Sequence, residues 1–282
     1  PTKTNAIRIL VVDDNPANLK LVCEFLRGLG VDVRAHNSGY EAIEACNKET
    51  FDLIFMDVQM PGMDGLETTK ALRAQESHSR TPIVALTAHA VNEQKTQLLL
   101  AGMDDFLSKP VSEDDLKHII ERWAKHEKAP DRTDELNKSR SVDIPVFPVS
   151  QSSKTATAVG PRNDFFDWSD SLRLAKHKPD LATDMLKMLI ASLPETLESL
   201  MSAFEKNNMR DLLEITHKLH GGCCYCGVPA LRGASKILEE KLHKQDYVDL
   251  QKLVENLAGE ITVLLRWSEE IDIDVLFADY DD

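Results

Sequence analysis

Two sets of residues in this sequence have the types and spacing to do chemistry. The first is spread over the opening part of the chain: Asp13 and Asp14 in "VVDDN", Asp57 in "FMDVQMPGMDG", Thr87 in "ALTA" and Lys109 in "LSKP". Three carboxylates brought together repel one another and need a cation. Hard oxygen ligands favour Mg²⁺ or Mn²⁺, and Mg²⁺ keeps several waters and adds phosphate oxygens to its shell. A hydroxyl and an ammonium beside such a metal suit the remaining oxygens of a phosphoryl group. A carboxylate is then the natural acceptor and forms an acyl phosphate. Singly, each residue is bland: an Asp after a strand is commonly a helix cap, and a lone Lys a solvated charge. The reading rests on the combination, which recurs in order at the ends of successive strands.

The second set is "ITHKLHGGCCYCG", residues 215–227. Placed on a helix from Met209 to Cys226, the residues Leu212, Ile215, Thr216, Leu219, Cys223 and Cys226 form one buried stripe, and His217 lies off it. Its helical neighbours are Leu213, His220, Gly221 and Cys224, which leaves the imidazole exposed and reachable. Glycine costs a helix about 1 kcal/mol against alanine. Gly221 and Gly222 therefore need a reason, and close approach by another surface is one. Three readings compete for this stretch. A metal site would use His217, His220 and Cys224, with Cys223 and Cys226 as a CxxC pair, but zinc sites usually draw ligands from two elements and no second cluster is present. Small cysteines can also simply fill a helical core, as suits Cys223 and Cys226. Third, a neutral imidazole nitrogen attacks a phosphoryl group well, and the first set would make such a group available.

These residues need elements to position them. "IRILVV", "DVRAH", "FDLIFM", "TPIVALTA" and "DDFLSK" read as five strands, with helical patterns between them and after the last. Pro16 opens the first helix and Gly30 ends it. Strand–helix units in series imply a parallel sheet covered by helices on both faces, with ligands beyond the carboxyl ends of the strands. Residues 126–163 are polar, with Pro, Ser and Thr throughout, and read as a linker. From Trp168 onward the pattern is helical over roughly 169–177, 180–206, 209–225, 229–244 and 247–268, most simply an antiparallel bundle, with Pro194 expected to kink the second helix. "EEIDIDVLFADYDD" closes the sequence as an acidic, frayed tail.

With 282 residues the chain is comfortable for two domains, and 42% hydrophobic content supports real cores. The net charge of −14 argues against nucleic acid or an anionic membrane as partner. No apolar run is long enough to span a membrane and no signal peptide opens the chain. The five cysteines do not form a disulfide framework, so a reducing cytoplasm is the expected setting. The opening at Pro1 reads as a piece of a longer protein.

As a set, the motifs of the first half are specific: residues 5–125 resemble the receiver domain of two-component signalling over their whole length. The resemblance implies a flavodoxin-like (βα)5 fold for residues 1–125, with Asp57 as phosphoacceptor. It implies Mg²⁺ held by Asp14, Asp57 and the backbone carbonyl of Gln59, with Asp13 assisting through water. Thr87 and Lys109 would contact the phosphoryl group, Lys109–Pro110 would be a cis peptide, and Phe106 would occupy the switch position without a phenol hydroxyl. "HKLHGGCCYCG" resembles the phosphoacceptor segment of histidine phosphotransfer (Hpt) domains, which makes residues 164–282 an all-α helical bundle with His217 as phosphoacceptor. His220 stands where Lys is usual, so a titratable charge replaces a fixed one, and Leu213, His220, Gly221 and Cys224 would form the docking surface. The order receiver, linker, Hpt resembles the C-terminal part of BarA/GacS-type hybrid sensor histidine kinases. That implies the cytoplasmic part of an inner-membrane kinase, whose partners are its own kinase core and the receiver of a separate response regulator. No ATP-binding core lies in these residues, so the chain is expected to relay phosphate without consuming ATP. Two rivals stay open: a phosphorylation-gated binding module without transfer, and a zinc- or redox-sensing helical domain.

Overall fold

A computed structural model describes residues 7–87, 92–123 and 165–276, apart from the side chains of 92–95. The expected linker, 126–163, and the last residues of the acidic tail lie outside the described residues.

The first half is a five-stranded sheet in the order β2-β1-β3-β4-β5, formed by β1 (Arg8–Val12), β2 (Asp32–His36), β3 (Leu53–Asp57), β4 (Ile83–Thr87) and β5 (Asp105–Ser108). Every pairing is parallel, with Ile9 opposite Leu53, Asp57 opposite Leu86 and Thr87 opposite Ser108. Side chains alternate faces along a strand, so Ile9, Val11, Leu53, Phe55, Val84 and Leu86 enter one core and Leu10, Val12, Ile54, Met56, Ile83 and Ala85 the other. Both faces are covered by α1 (Pro16–Gly28), α2 (Gly39–Lys48), α3 (Gly65–Arg73), α4 (Asn92–Ala101) and α5 (Glu113–Trp123). Local chemistry sets the helix starts. Asn15 caps α1, accepting from the N–H groups of Ala17 and Asn18, with Pro16 in the first turn. Asp64 and Glu67 form a reciprocal capping box on α3. The parallel register sends the carboxyl ends of β1, β3, β4 and β5 to one edge.

The second half is helical: α6 (Trp168–Leu174), α7 (Pro179–Glu205), α8 (Met209–Cys223), α9 (Pro229–His243) and α10 (Leu250–Glu270). Helix α7 packs on α8, α8 on α9, α9 on α10 and α10 back on α7, closing a bundle around Leu186, Leu193, Leu212, Leu238, Leu257 and Ile261. Pro194 removes one backbone donor, yet the helix continues through it to Glu205. The stretch read as one helix to Cys226 ends at Cys223, and the following residues form a turn. Among the described residues no helix is long and apolar enough to cross a membrane.

The two halves are packed together. Helix α1 lies against α7 and α8, and one buried apolar cluster runs from the α1–α5 side of the sheet into the bundle. Lys20 of α1 forms an ion pair with Asp184 of α7.

Candidate functional site

At the shared strand edge Asp13 follows β1, Asp57 ends β3, Thr87 ends β4 and Lys109 follows β5. Lys109 Nζ sits 2.7 Å from both Asp13 Oδ2 and Asp57 Oδ2, and its side chain is 3% exposed. Burial works against its charge, but Asp13 and Asp57 beside it raise it above the ordinary lysine value. Asp13, Asp14 and Asp57 offer carboxylate oxygens within 4.8 Å of one another, the one such His/Cys/Asp/Glu group found among the described residues. Burial raises the carboxyls of Asp13 and Asp14, each further raised by a neighbouring carboxylate. A crowded, desolvated set of hard oxygens with one ammonium is short of positive charge, and a divalent cation fits that deficit. The Gln59 N–H donates to Asp57 Oδ1 at 3.2 Å, which holds the backbone of residue 59 beside the Asp57 carboxylate. The Lys109–Pro110 peptide is cis. Phe106 is half-buried on β5 opposite Ala85 and packs on the second core.

In the bundle, His217 lies on α8 and its Nδ1–H donates to Glu239 Oε1 of α9 at 2.7 Å. His220 donates from Nδ1 to the other oxygen of Glu239 at 2.5 Å, and His243 Nε2 lies 3.7 Å from Glu239 Oε1. Glu239 is fully buried; burial opposes its charge, yet these imidazoles hold its carboxyl well below the usual carboxylate range. Burial likewise opposes a charge on His220, but hydrogen bonds with Cys224 and Glu239 push it up to about 9. With Nδ1 engaged, Nε2 is the nitrogen of His217 left to act.

That imidazole faces the strand edge. Asp14, Gln59, Pro61, Thr87, His217 and His243 line one cavity of about 520 Å³ between the halves. The Gln59 amide nitrogen is 3.1 Å from His243 Nε2, and Lys218 Nζ is 3.9 Å from Asp14 Oδ2. Asn15 Nδ2 donates to the Lys218 carbonyl at 3.2 Å. A Cβ on Gly221 would lie 3.5 Å from Asn18 Nδ2, and one on Gly222 would lie 3.1 Å from Asn15 Nδ2. The two glycines are where α1 comes close to α8. The Val111 N–H donates to the Tyr225 hydroxyl at 2.8 Å, a buried bond between the halves.

Asp13, Asp57 and Lys109 thus meet at one strand edge, and Asp14, Gln59, Thr87, Leu213 and His217 line the same cavity, whereas Phe106 packs on the second core. His217, read as exposed, has a side chain only 12% exposed because the sheet edge covers it. Of the expected docking residues, Leu213 lines the cavity and Gly221 faces α1, whereas His220 and Cys224 are each 5% exposed and His220 is spent on Glu239. Cys223 and Cys226 are fully buried; burial pushes the Cys226 thiol up to about 12 and Cys223 well above the ordinary value, which disfavours the thiolates that zinc or redox chemistry needs. Sequence reasoning missed Glu239, His243, Tyr225, Asn15 and the Gln59 side chain. Glu239 had a signal: it shares a helical stripe with Leu231, Leu238 and Leu242, and a carboxylate on a buried stripe must have partners.

Residues 9–121 match the response regulator receiver domain, and residues 184–267 match the Hpt domain. The chain is 41% identical to the sensor protein GacS of Pseudomonas syringae pv. syringae over 276 residues, 94% of this chain and 28% of that protein. It is 35% identical to the signal transduction histidine-protein kinase BarA of Escherichia coli (strain K12) over 270 residues, 92% of this chain and 27% of that protein. It therefore spans about a quarter of the length of these curated relatives. Among solved structures, the receiver domain of sensor histidine kinase PA1611 from Pseudomonas aeruginosa PAO1 is 38% identical, with a TM-score of 0.41 over 43% of this chain and 99% of that one. The chain belongs to the response regulator receiver family in its first half and to the Hpt family in its second, the phosphorelay pair of GacS- and BarA-type hybrid sensor kinases.

Proposed function

We propose that Asp57 and His217 are the two phosphoacceptors of this relay. Asp57 receives a phosphoryl group from a histidine of the kinase core of a parent sensor kinase. His217 then takes it from Asp57 and hands it to the receiver of a separate response regulator. The observation that carries this reading is that His217 and the carboxylate edge line one cavity, with Nδ1 of His217 already held by Glu239. In the internal step the Asp57 Oδ–P bond breaks as the His217 Nε2–P bond forms. Asp57 recovers its carboxylate, and the proton on Nδ1 stays on the imidazole, where Glu239 offsets the positive charge. Lys109 binds the phosphoryl oxygens and Thr87 adds a hydroxyl, so the chain's own groups act by positioning and charge.

Asp13, Asp14, Asp57 and the backbone carbonyl of Gln59 would hold Mg²⁺, or Mn²⁺ with the same hard-ligand chemistry, which neutralises phosphoryl charge when bound. We assign residues 1–125 to the receiver, 126–163 to the linker and 164–282 to the Hpt domain, all on the cytoplasmic side of the parent protein. The experiment is transfer from a phosphorylated kinase core to wild type, Asp57→Asn and His217→Gln, separating alkali-labile aspartyl phosphate from alkali-stable phosphohistidine. Wild type should carry both, His217→Gln only the labile label, and Asp57→Asn neither. Full labelling of His217 in Asp57→Asn would refute the order of the relay.

A further inference from the structure

We propose that Tyr225 is the docking residue of the Hpt domain, recognising a receiver by accepting the main-chain N–H of the second residue beyond the rim lysine. The inference rests on the relay reading and adds the contact that brings the two acceptors together.

Tyr225 stands in the turn after α8, and that turn is fixed. Gly227 adopts φ +66°, and a Cβ there would meet the Asp167 carbonyl oxygen at 2.4 Å. The Asp167 N–H donates to the Gly227 carbonyl at 2.7 Å, and the Cys226 thiol donates to the Gly222 carbonyl at 3.1 Å. The phenol is therefore carried on a rigid mount, close to His217 in the chain. Its ring is 1% exposed, and its oxygen accepts from Val111, itself 3% exposed. Pro110 has no N–H, and the Ser112 N–H is engaged by Asp115 at the start of α5. Val111 thus carries the first main-chain donor after Lys109. Burial raises the phenol above its ordinary value despite the nearby Lys109, so it docks as a neutral hydroxyl.

A main-chain donor is independent of the side chain at that position, provided it is not proline. A second receiver with the same loop offers the same donor, which suits an Hpt domain that must take phosphate from one receiver and give it to another. The tethered receiver is marked separately, by side chains: Asn15 to the Lys218 carbonyl, and Lys20 to Asp184.

The test uses the full chain. Tyr225→Phe keeps the ring and removes the acceptor oxygen, and Val111→Pro removes the donor from the other side. Asp57 is loaded with labelled acetyl phosphate, and transfer to His217 is measured per loaded Asp57. Each single variant should slow transfer on the order of ten-fold, the size of an interfacial hydrogen bond left unmade. In Tyr225→Phe the Val111 amide should also lose its protection from hydrogen exchange. The double variant should lose no more than either single variant, because both delete one bond. Additive losses, or a Val111 amide equally protected in wild type and Tyr225→Phe, would overturn the proposal. A wild type that never labels His217 would instead overturn the relay reading, and Val111 exchange would still decide the docking residue.

Discussion

The carboxylate of Glu239 is shared by His217 and His220, one oxygen each. A glutamine at this position keeps the size but puts an NH2 donor where one of the two carboxylate oxygens accepts, so one imidazole N–H loses its acceptor at that place. Glu239→Gln should slow transfer through His217 on the order of ten-fold and lower the pKa of His220, read by titrating the imidazole resonances. A pH dependence follows. His220 rises from an ordinary 6.5 to about 9 on folding. A raised base stabilises the fold fully below its unfolded value and loses that contribution as pH rises through the folded one. Stability should therefore fall between pH 6.5 and about 9, by on the order of 3 kcal/mol. In His220→Asn the slope over that window should flatten, as seen in denaturant melts; an unchanged slope would place the titrating group elsewhere. His217 was legible in the sequence because its neighbours spell a motif. Glu239 was harder to find, because its two hydrogen-bond partners, His217 and His220, come from another helix and no spacing rule links it to them.

At the scale of elements, the five strands were legible as apolar runs, and the acidic residues after them mark the edge of a parallel sheet, whereas the order β2-β1-β3-β4-β5 came from the structure. The α7 and α9 boundaries also followed from the helical pattern to within a residue, while α8 ends and α10 starts two to three residues from where the pattern put them. What the sequence could not give was which face of α8 meets which helix. The structure separates the two glycines there. A Cβ at Gly221 is an ordinary contact at 3.5 Å, while one at Gly222 at 3.1 Å pushes on Asn15. Gly221→Ala should raise helix stability by about 1 kcal/mol with transfer nearly intact. Gly221→Trp should leave the bundle folded and slow transfer at least ten-fold, since α1 can no longer approach; circular dichroism and label transfer distinguish the two effects. The cysteine pair behaves differently. Cys223 and Cys226 are fully buried, so replacing both with Ala should cost on the order of 1–3 kcal/mol through small cavities while transfer survives. Loss of a stoichiometric metal in that variant would revive the zinc reading.

Across the whole molecule, a relay needs its two acceptors to meet and then to part. The interface combines an apolar cluster shared by α1 and the bundle, one buried hydrogen bond from Val111 to Tyr225, and polar contacts from Asn15, Gln59 and Lys20. Rim ion pairs of this exposed kind contribute little, typically under about 1 kcal/mol, which suits a contact that must release. Were residues 126–163 the proposed linker, tethering would give an effective concentration on the order of millimolar, at which weak docking suffices. Two domains were legible in the sequence, but their mutual placement was not, because it depends on surface complementarity rather than on any local pattern. The central claim is that phosphate crosses from Asp57 to His217 within one chain. Labelled wild-type chains are mixed at low concentration with an excess of mass-tagged, unlabelled Asp57→Asn chains, and phosphohistidine is followed on each. The account predicts that His217 of the donor chain is labelled first and at a rate independent of the added chains; equal labelling of His217 on both species from the outset would contradict it.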